Sequence, residues 1–352
     1  MKTTRCLLLY LLLGSCLSWV SAAHAQQVGS VATLALYDGP DRERILIEGA
    51  KKEGALTLYT SIAQKDLPPL ITAFEKKYGI QVKVWRAGSD KVLQRTMTET
   101  AGKRFEVDAV HIGAPELEAL HLEKVLQPVS SPAFNALLPG AVPVHREWVA
   151  TRLTVFVQAY NTNLVKKEDL PKTWQDLTDP KWKGKLGVEF TDDEWFYSLV
   201  QQLGEERGLK LFRDIVATNG LSVRKGHSLL TNLVASGEVP LALTVYNYMA
   251  EALKKRGAPI DWFILEPAIT RANGVGIARQ APHPHAALLF YDYVLSVEAQ
   301  KMLVSMDYIP TNAIVESPMK NMQLKVNDAD ITPSQAEKWT RLYQEIISAT
   351  RH

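Results

Sequence analysis

Cysteine is nearly absent. The 352-residue chain has two, Cys6 and Cys16, and both fall in an N-terminal stretch that reads as a removable leader. A mature chain without cysteine excludes a structural disulfide, a Cys-ligated zinc or iron–sulfur site and a cysteine nucleophile. A charge excess of one sign is also missing. The chain carries 40 Lys+Arg against 38 Asp+Glu, and residues 1–25 hold Lys2, Arg5 and no acid, so the mature chain has 38 of each. That balance argues against a nucleic-acid partner, which needs a basic surface to neutralise phosphates. Beyond the leader, no apolar run approaches the roughly 20 residues of a membrane span. Signatures of catalysis are lacking too: there is no GxSxG elbow, HExxH helix or Walker A loop. Gly274-Val275-Gly276 lacks the third glycine of a dinucleotide fingerprint, and Ser317-Pro318-Met319-Lys320 matches SxxK without its companion motifs. His283-Pro284-His285 fits the loop at a helix start better than a metal site. No enzyme activity and no cofactor are expected.

What the sequence does have begins with an address. Lys2 and Arg5 precede the apolar run Leu7–Leu13, and Ala23-His24-Ala25 puts small residues where a signal peptidase reads. Residues 1–25 are thus expected to be cleaved before Gln26, leaving an exported, periplasmic protein. Apolar content of 46% and charged content of 22% are those of an ordinary globular chain. About 327 residues exceed one small core and predict two lobes.

The pattern along the chain alternates. Residues 41–53 read as a helix stopped by Gly54, and 56–60 as a strand. Leu67, Leu70, Ile71 and Phe74 follow the i, i+3, i+4, i+7 stripe of an amphipathic helix that Gly79 ends. Strands at 82–85 and 107–112 and helices at 89–101 and 115–125 continue the alternation, which predicts a parallel sheet covered by helices. Pro/Ser/Gly-rich residues 128–143 read as a connection, and 153–160 as a strand apolar enough for burial on both faces. A second alternating unit runs from Leu186 to Leu265, and helices near 284–305 and 333–349 close the chain. The expected fold is α/β, with two αβ lobes joined by crossover segments near 150–160 and 266–276. The first lobe takes residues 26–150, the second 151–270, and 271–352 return to the first with both C-terminal helices. A cleft between such lobes can close on a ligand by hinge motion.

Candidate ligand groups sit at strand ends, where open α/β sheets bind ligands. Thr60-Ser61 follow the first strand. Ser89 and Asp90 follow the second and either hold an anion or cap the next helix. Gly113 and Ala114 follow the third. In the second unit, Thr191 and Asp192 follow strand 186–190, and Asp192 either faces the cleft or complements a helix dipole. Trp195 covers a ligand or belongs to the core. His227 and Ser228 open another helix, beside Arg224 and Lys225. Tyr246-Asn247-Tyr248 start a helix directly after an apolar strand; a spacing of two cannot put both phenols on one helix face.

Three stretches carry a family resemblance: Tyr160-Asn161 through Lys166, Leu170-Pro171-Lys172-Thr173-Trp174-Gln175-Asp176-Leu177, and Asp179-Pro180-Lys181-Trp182-Lys183-Gly184-Lys185-Leu186. Together they resemble the mid-chain signature of bacterial extracellular solute-binding proteins, in the branch containing the ferric-iron-binding periplasmic proteins. The match runs from about Gly54 to Pro318 and includes Gly237-Glu238-Val239. The resemblance implies the type 2 periplasmic binding fold and a monomer that hands a small solute to the membrane permease of an ABC importer. The alternative is a periplasmic sensor that presents its closed form to a receptor. Ferric-binding members carry adjacent tyrosines after the second-lobe strand. Here Tyr248 matches the second and Asn247 stands in place of the first, which makes Tyr248 the best candidate ligand if ferric iron binds. Ala63 or Gln64 replaces a histidine that many members have, and Gly113 stands near a glutamate that some have. An anionic organic solute, a phosphonate or a metal complex fits the pattern as well as the free ion.

Overall fold

The computed structural model describes residues 31–317, 319 and 333–349. The leader, its cleavage site and both cysteines lie outside them, as do Pro318 and Lys320 of the SxxK match.

Chain order explains the first lobe. Helix α1 (Arg42–Glu53) stops at Gly54, whose φ of 74° is left-handed, and strand β1 (Ala55–Thr60) follows. Helix α2 (Leu67–Tyr78) buries Leu67, Leu70, Ile71 and Phe74 and ends at Gly79, also at φ 74°. Strand β2 (Gln81–Arg86), helix α3 (Ser89–Ala101), strand β3 (Ala109–Gly113), helix α4 (Ala114–Leu122) and the short β4 (Leu126–Gln127) complete the unit. Strand β1 pairs in parallel with β2 on one side and β3 on the other, the arrangement that strand–helix alternation dictates.

Strand β5 (Trp148–Asn161) then crosses the molecule and is buried along all 14 residues. Beyond it come β6 (Leu186–Glu189), α5 (Asp193–Leu203), α6 (Glu205–Asn219), β7 (Ser222–Arg224), α7 (His227–Ser236), β8 (Leu241–Tyr246), α8 (Asn247–Lys255) and β9 (Ile260–Phe263). Strand β10 (Ile269–Ala278) recrosses antiparallel to β5 and to β3. Helices α9 (Pro284–Leu295) and α10 (Val297–Ser305), strand β11 (Ile309–Pro310) and helix α11 (Pro333–Ser348) follow. The sheet order β2-β1-β3-β10-β5-β8-β6-β7 puts the two crossing strands at its centre.

Two buried apolar clusters hold the lobes. One joins β1–β3, β10 and the nearly all-buried α9, and continues under α7; the other packs Trp174, Trp182, Trp195, Phe196 and Phe212 around β6. The last helix corrects one expectation. Helix α11 does not return to the first lobe but packs on α5, with Trp339 against Phe196 and Tyr197 and Tyr343 against Phe196. Its buried Trp339, Tyr343, Ile346 and Ile347 form one stripe at helical spacing. The second core supplies the aromatic partner for that stripe, and Tyr343 donates its hydroxyl to the Glu189 carbonyl at the end of β6.

Candidate ligand-binding cleft

The segments that follow β1, β2, β3, β7 and β8 meet around one cavity of about 700 Å³. Its first wall comes from the ends of β1 and β2. Ser89 donates to the Ser61 hydroxyl at 3.0 Å and accepts from the Gly113 N–H at 3.3 Å, which fixes both hydroxyls beside Gly88 and Asp90. Arg86 turns in from the last residue of β2, its Nε donating to the Ile62 carbonyl.

The second wall is a row of rings. His227 stacks on Tyr246 at 4.0 Å, Tyr246 lies parallel to Tyr248 at 6.0 Å, and Tyr248 meets Tyr308 at 4.8 Å. The turn before His227 runs through Gly226 at φ 107°, a conformation that favours glycine. Glu189 pins that turn by accepting from the Gly226 N–H at 2.7 Å.

The floor belongs to the crossing strands. Register pairs Thr154 with Arg271 and Arg152 with Asn273. Cross-strand partners, and residues two apart on one strand, share a face, so all four side chains line the cavity. Arg152 lies over the Tyr308 ring at 4.1 Å, is 5% exposed, and has no partner for its Nε. Arg271 reaches Glu116 of α4 and Glu194 of α5, each at 3.5 Å.

The fold of this cleft is shared with proteins of known structure. Iron-bound HitA from Pseudomonas aeruginosa superposes with a TM-score of 0.70 at 23% identity, covering 83% of this chain and 99% of HitA. AfuA from Actinobacillus pleuropneumoniae, with exogenous fructose-6-phosphate bound, gives 0.69 at 22% identity, covering 84% and 99%. In sequence, Iron uptake protein A1 of Synechocystis sp. is 26% identical over 85% of this chain and 88% of its own. The bacterial extracellular solute-binding protein family matches residues 69–327. The chain belongs to that family. The structural likeness places it in the type 2 periplasmic binding class, with two lobes around a ligand cleft.

In this solute-binding protein Ser61, Ser89, Asp90, His227, Ser228, Tyr246 and Tyr248 line the cavity. The other expected site residues stand elsewhere. Thr60 is fully buried and its hydroxyl accepts from the Ile62 N–H, which shapes the turn after β1. Gly113 is not in the lining but supports it, its N–H bonded to Ser89 and its Cα packed close against Glu116 and Arg271, and Ala114 is buried as the first residue of α4. Thr191 faces solvent, its hydroxyl bonded to Glu189 at 2.7 Å. Asp192 is turned away from the cavity and takes His227 Nε2 at 2.9 Å, so it orients the imidazole from behind. Trp195 is 1% exposed and packs on Trp174 and Phe212, a core residue. Asn247 is buried as well: Oδ1 accepts from the Val155 N–H at 3.0 Å and Nδ2 donates to the Asp307 carbonyl at 3.1 Å. Its amide ties α8 to β5, a bond that a tyrosine ring could not make.

Residues absent from the sequence expectation carry most of the charge. Arg86, Arg152 and Arg271 share the cavity lining with Asp90 and Glu116. Burial works against the charge of Arg271, but Glu194 and Glu116 more than offset it, and its pKa is raised further. Burial pushes the phenols of Tyr246, Tyr248 and Tyr308 upward, so in the empty cleft they are neutral donors. Burial also raises Asp192, against the pull of His227, and Glu194, against that of Arg271. The available signal was period-two alternation, since Arg152 and Thr154, and Arg271 and Asn273, put a polar face on otherwise apolar crossing strands.

Among the described residues two groups of metal-ligand type are present, and of their members His227 alone lines the cavity. Glu189, Asp192 and His227 approach within 4.8 Å of one another, but Glu189 already holds Gly226 and Thr191. Glu118, His121 and His145 also cluster, yet the two imidazoles stack at 3.7 Å and 14°, so their lone pairs lie in separate, nearly parallel planes and do not converge on one point. His283 and His285 are each held by a carboxylate, Asp108 and Glu53, at the start of α9.

Proposed function

We propose that this protein captures a small anionic solute and delivers it to the membrane permease of an ABC importer. The observation that carries this reading is the convergence of three guanidinium groups on one cleft, one of them buried with an unpartnered Nε. A buried donor without a partner is costly, and an anionic ligand in the cleft would satisfy it. The serine hydroxyls, the Ser228 turn and the neutral phenols of Tyr246 and Tyr248 supply further donors suited to phosphate, phosphonate or carboxylate oxygens, whereas the Tyr308 hydroxyl is spent on Asp66. Fold alone does not choose the ligand: iron is bound in HitA and a sugar phosphate in AfuA. Residues 1–25 would export the chain, with Gln26 as the mature N-terminus, which mass spectrometry of the secreted protein reads directly.

A bare ferric ion asks for several anionic oxygens; the cavity lining offers Asp90 and Glu116, the latter 3.5 Å from Arg271, beside neutral phenols and three arginines. The test is a thermal-shift and calorimetric screen of the mature protein against phosphate, phosphonates, carboxylates and ferric salts with and without carbonate. An anion at 100 times its Kd is expected to add about 2.7 kcal/mol of stability. A shift with ferric salt alone, accompanied by a visible tyrosinate charge-transfer band, would overturn the metal-free reading.

A further inference from the structure

Beside the arginine-lined cavity lies a second space of about 420 Å³, and the two share Ala63, Ser228, Tyr248 and Met249. Resting on the proposed function above, we infer that the solute is bipartite, with its anionic head on the arginines and an apolar body in this annex. The residues that decide the annex are Met249, Ala252 and Leu253, on the face of α8 opposite Ala63 in the loop after β1. One wall therefore comes from each lobe, so a body seated there is gripped on closure. Among the described residues no carboxylate lines the annex; its charged residues are Lys65 and Arg256, and Gln64, Thr231 and Asn232 add polar groups at its edge. Lys65 already lies 3.9 Å from Asp66, and Arg256 Nε donates to the Ala252 carbonyl.

Size points the same way. An apolar cavity of about 150 Å³ suffices for a benzene ring, so the annex holds an aromatic ring or a short alkyl chain with room left. A metal ion or inorganic phosphate would occupy the arginine cavity and leave apolar surface in contact with water. Burying it under a ligand is favourable at about fourfold in affinity per methylene. The class is thus an organic phosphonate or carboxylate bearing an aryl or alkyl group. A terminal ammonium group is disfavoured, because the annex would desolvate it without a counter-charge.

The test is calorimetry on the mature protein with two series, methyl-, butyl- and phenylphosphonate, and acetate, pentanoate and benzoate. Kd is expected to fall at least tenfold from the methyl to the butyl or phenyl member of whichever series binds. The preferred series then names the head. Replacing propylphosphonate by 2-aminoethylphosphonate is expected to weaken binding. Ala252→Phe fills the annex from an incompletely buried helix position and is expected to flatten the series. A series that binds but does not rise, or that still rises in Ala252→Phe, overturns the annex and leaves the anion reading standing. Tighter binding of the aminoethyl compound overturns the annex chemistry. Binding of ferric salt with no binding by either series overturns the anion reading, and the annex inference falls with it.

Discussion

Arg152 offers the sharpest test because its two roles have opposite signs. Its guanidinium is buried in the empty cleft, stacked on Tyr308 and held to Asn273 Oδ1 at a long 3.4 Å, with Nε unpartnered. Arg152→Met keeps the stem and removes the charge. In the empty protein it loses a cation–π contact of about 0.5–2 kcal/mol and relieves an unsatisfied donor that costs about 1–3 kcal/mol. The two nearly cancel, so Tm is expected to stay within about 3 °C of wild type at roughly 2–4 °C per kcal/mol for a large domain. Anion binding loses up to two charge-assisted hydrogen bonds worth about 1.5–3 kcal/mol each. Calorimetry should therefore show a Kd raised by about 10²–10⁴-fold when both bonds are lost. Arg152→Lys keeps the charge without the fork and should fall between. An affinity loss under threefold, or a Tm drop of 10 °C in the empty protein, would refute the reasoning and make Arg152 a structural cation.

Other substitutions separate site from scaffold. Tyr248→Phe should weaken anion binding about five- to tenfold in calorimetry and leave the empty protein's Tm nearly unchanged, since a neutral donor is lost from the wall. Glu116→Gln should tighten anion binding about fivefold, because it removes a carboxylate that competes for Arg271 at 3.5 Å; weaker binding would show that Arg271 is spent on structure. Asn247→Ala should cost about 2–4 kcal/mol in urea unfolding, since it strands the buried Val155 N–H and the Asp307 carbonyl. His111, buried beneath the site with Nε2 on Thr151, has its pKa lowered by burial, then by Arg152, from 6.5 to about 3. A lowered folded pKa means protons are taken up on unfolding, so its stability contribution is full above pH 6.5 and is lost as pH falls toward 3. The slope is about 1.4 kcal/mol per pH unit. Asp108, Asp192, Glu194 and Asp292 are raised and act oppositely, losing stability as pH rises through their folded pKa values. Subtracting the His111→Gln stability profile from wild type isolates the histidine term between pH 4 and 6.

The two-lobed α/β fold was legible because its signals are local. Gly54 and Gly79 end helices where the apolar stripes end, and each strand–helix alternation forces a parallel pair. What was not legible depended on contacts far apart in sequence. Asn247 reads as a substituted ligand because it follows Tyr246 at a strand end, but its amide is used by Val155, 92 positions earlier. Trp195 was ambiguous by type, and only the position of Trp174 and Phe212 makes it core. Helix α11 shows its stripe plainly, whereas the choice of lobe depends on which sheet leaves Phe196 and Tyr197 uncovered. The arginines were the larger loss. Arg152 sits at the margin of an apolar run, and its face is fixed by the β5–β10 register, which no single segment encodes.

That register also assigns the cleft residues different tasks. Arg152, Thr154, Arg271 and Asn273 stand on the two strands that join the lobes, whereas Ser61 and Ser89 ride on one lobe and His227, Ser228 and Tyr246 on the other. Charges on the joining strands are in place whether the lobes are apart or together, so an anion can bind them first in the open form. On the proposed function the wall hydroxyls and rings would reach it on closure, and their contacts would be the differential free energy that shifts the population to the closed state. Glu116 and Glu194 sharpen this division. By sharing Arg271 across the lobes they neutralise its charge when the cleft is empty, and an entering anion must compete with them. Loss of a wall donor such as Tyr248 should thus act mainly on the closing step and the dissociation rate. Loss of Arg152 should act on the encounter itself, with a dependence on ionic strength that the wall substitution lacks.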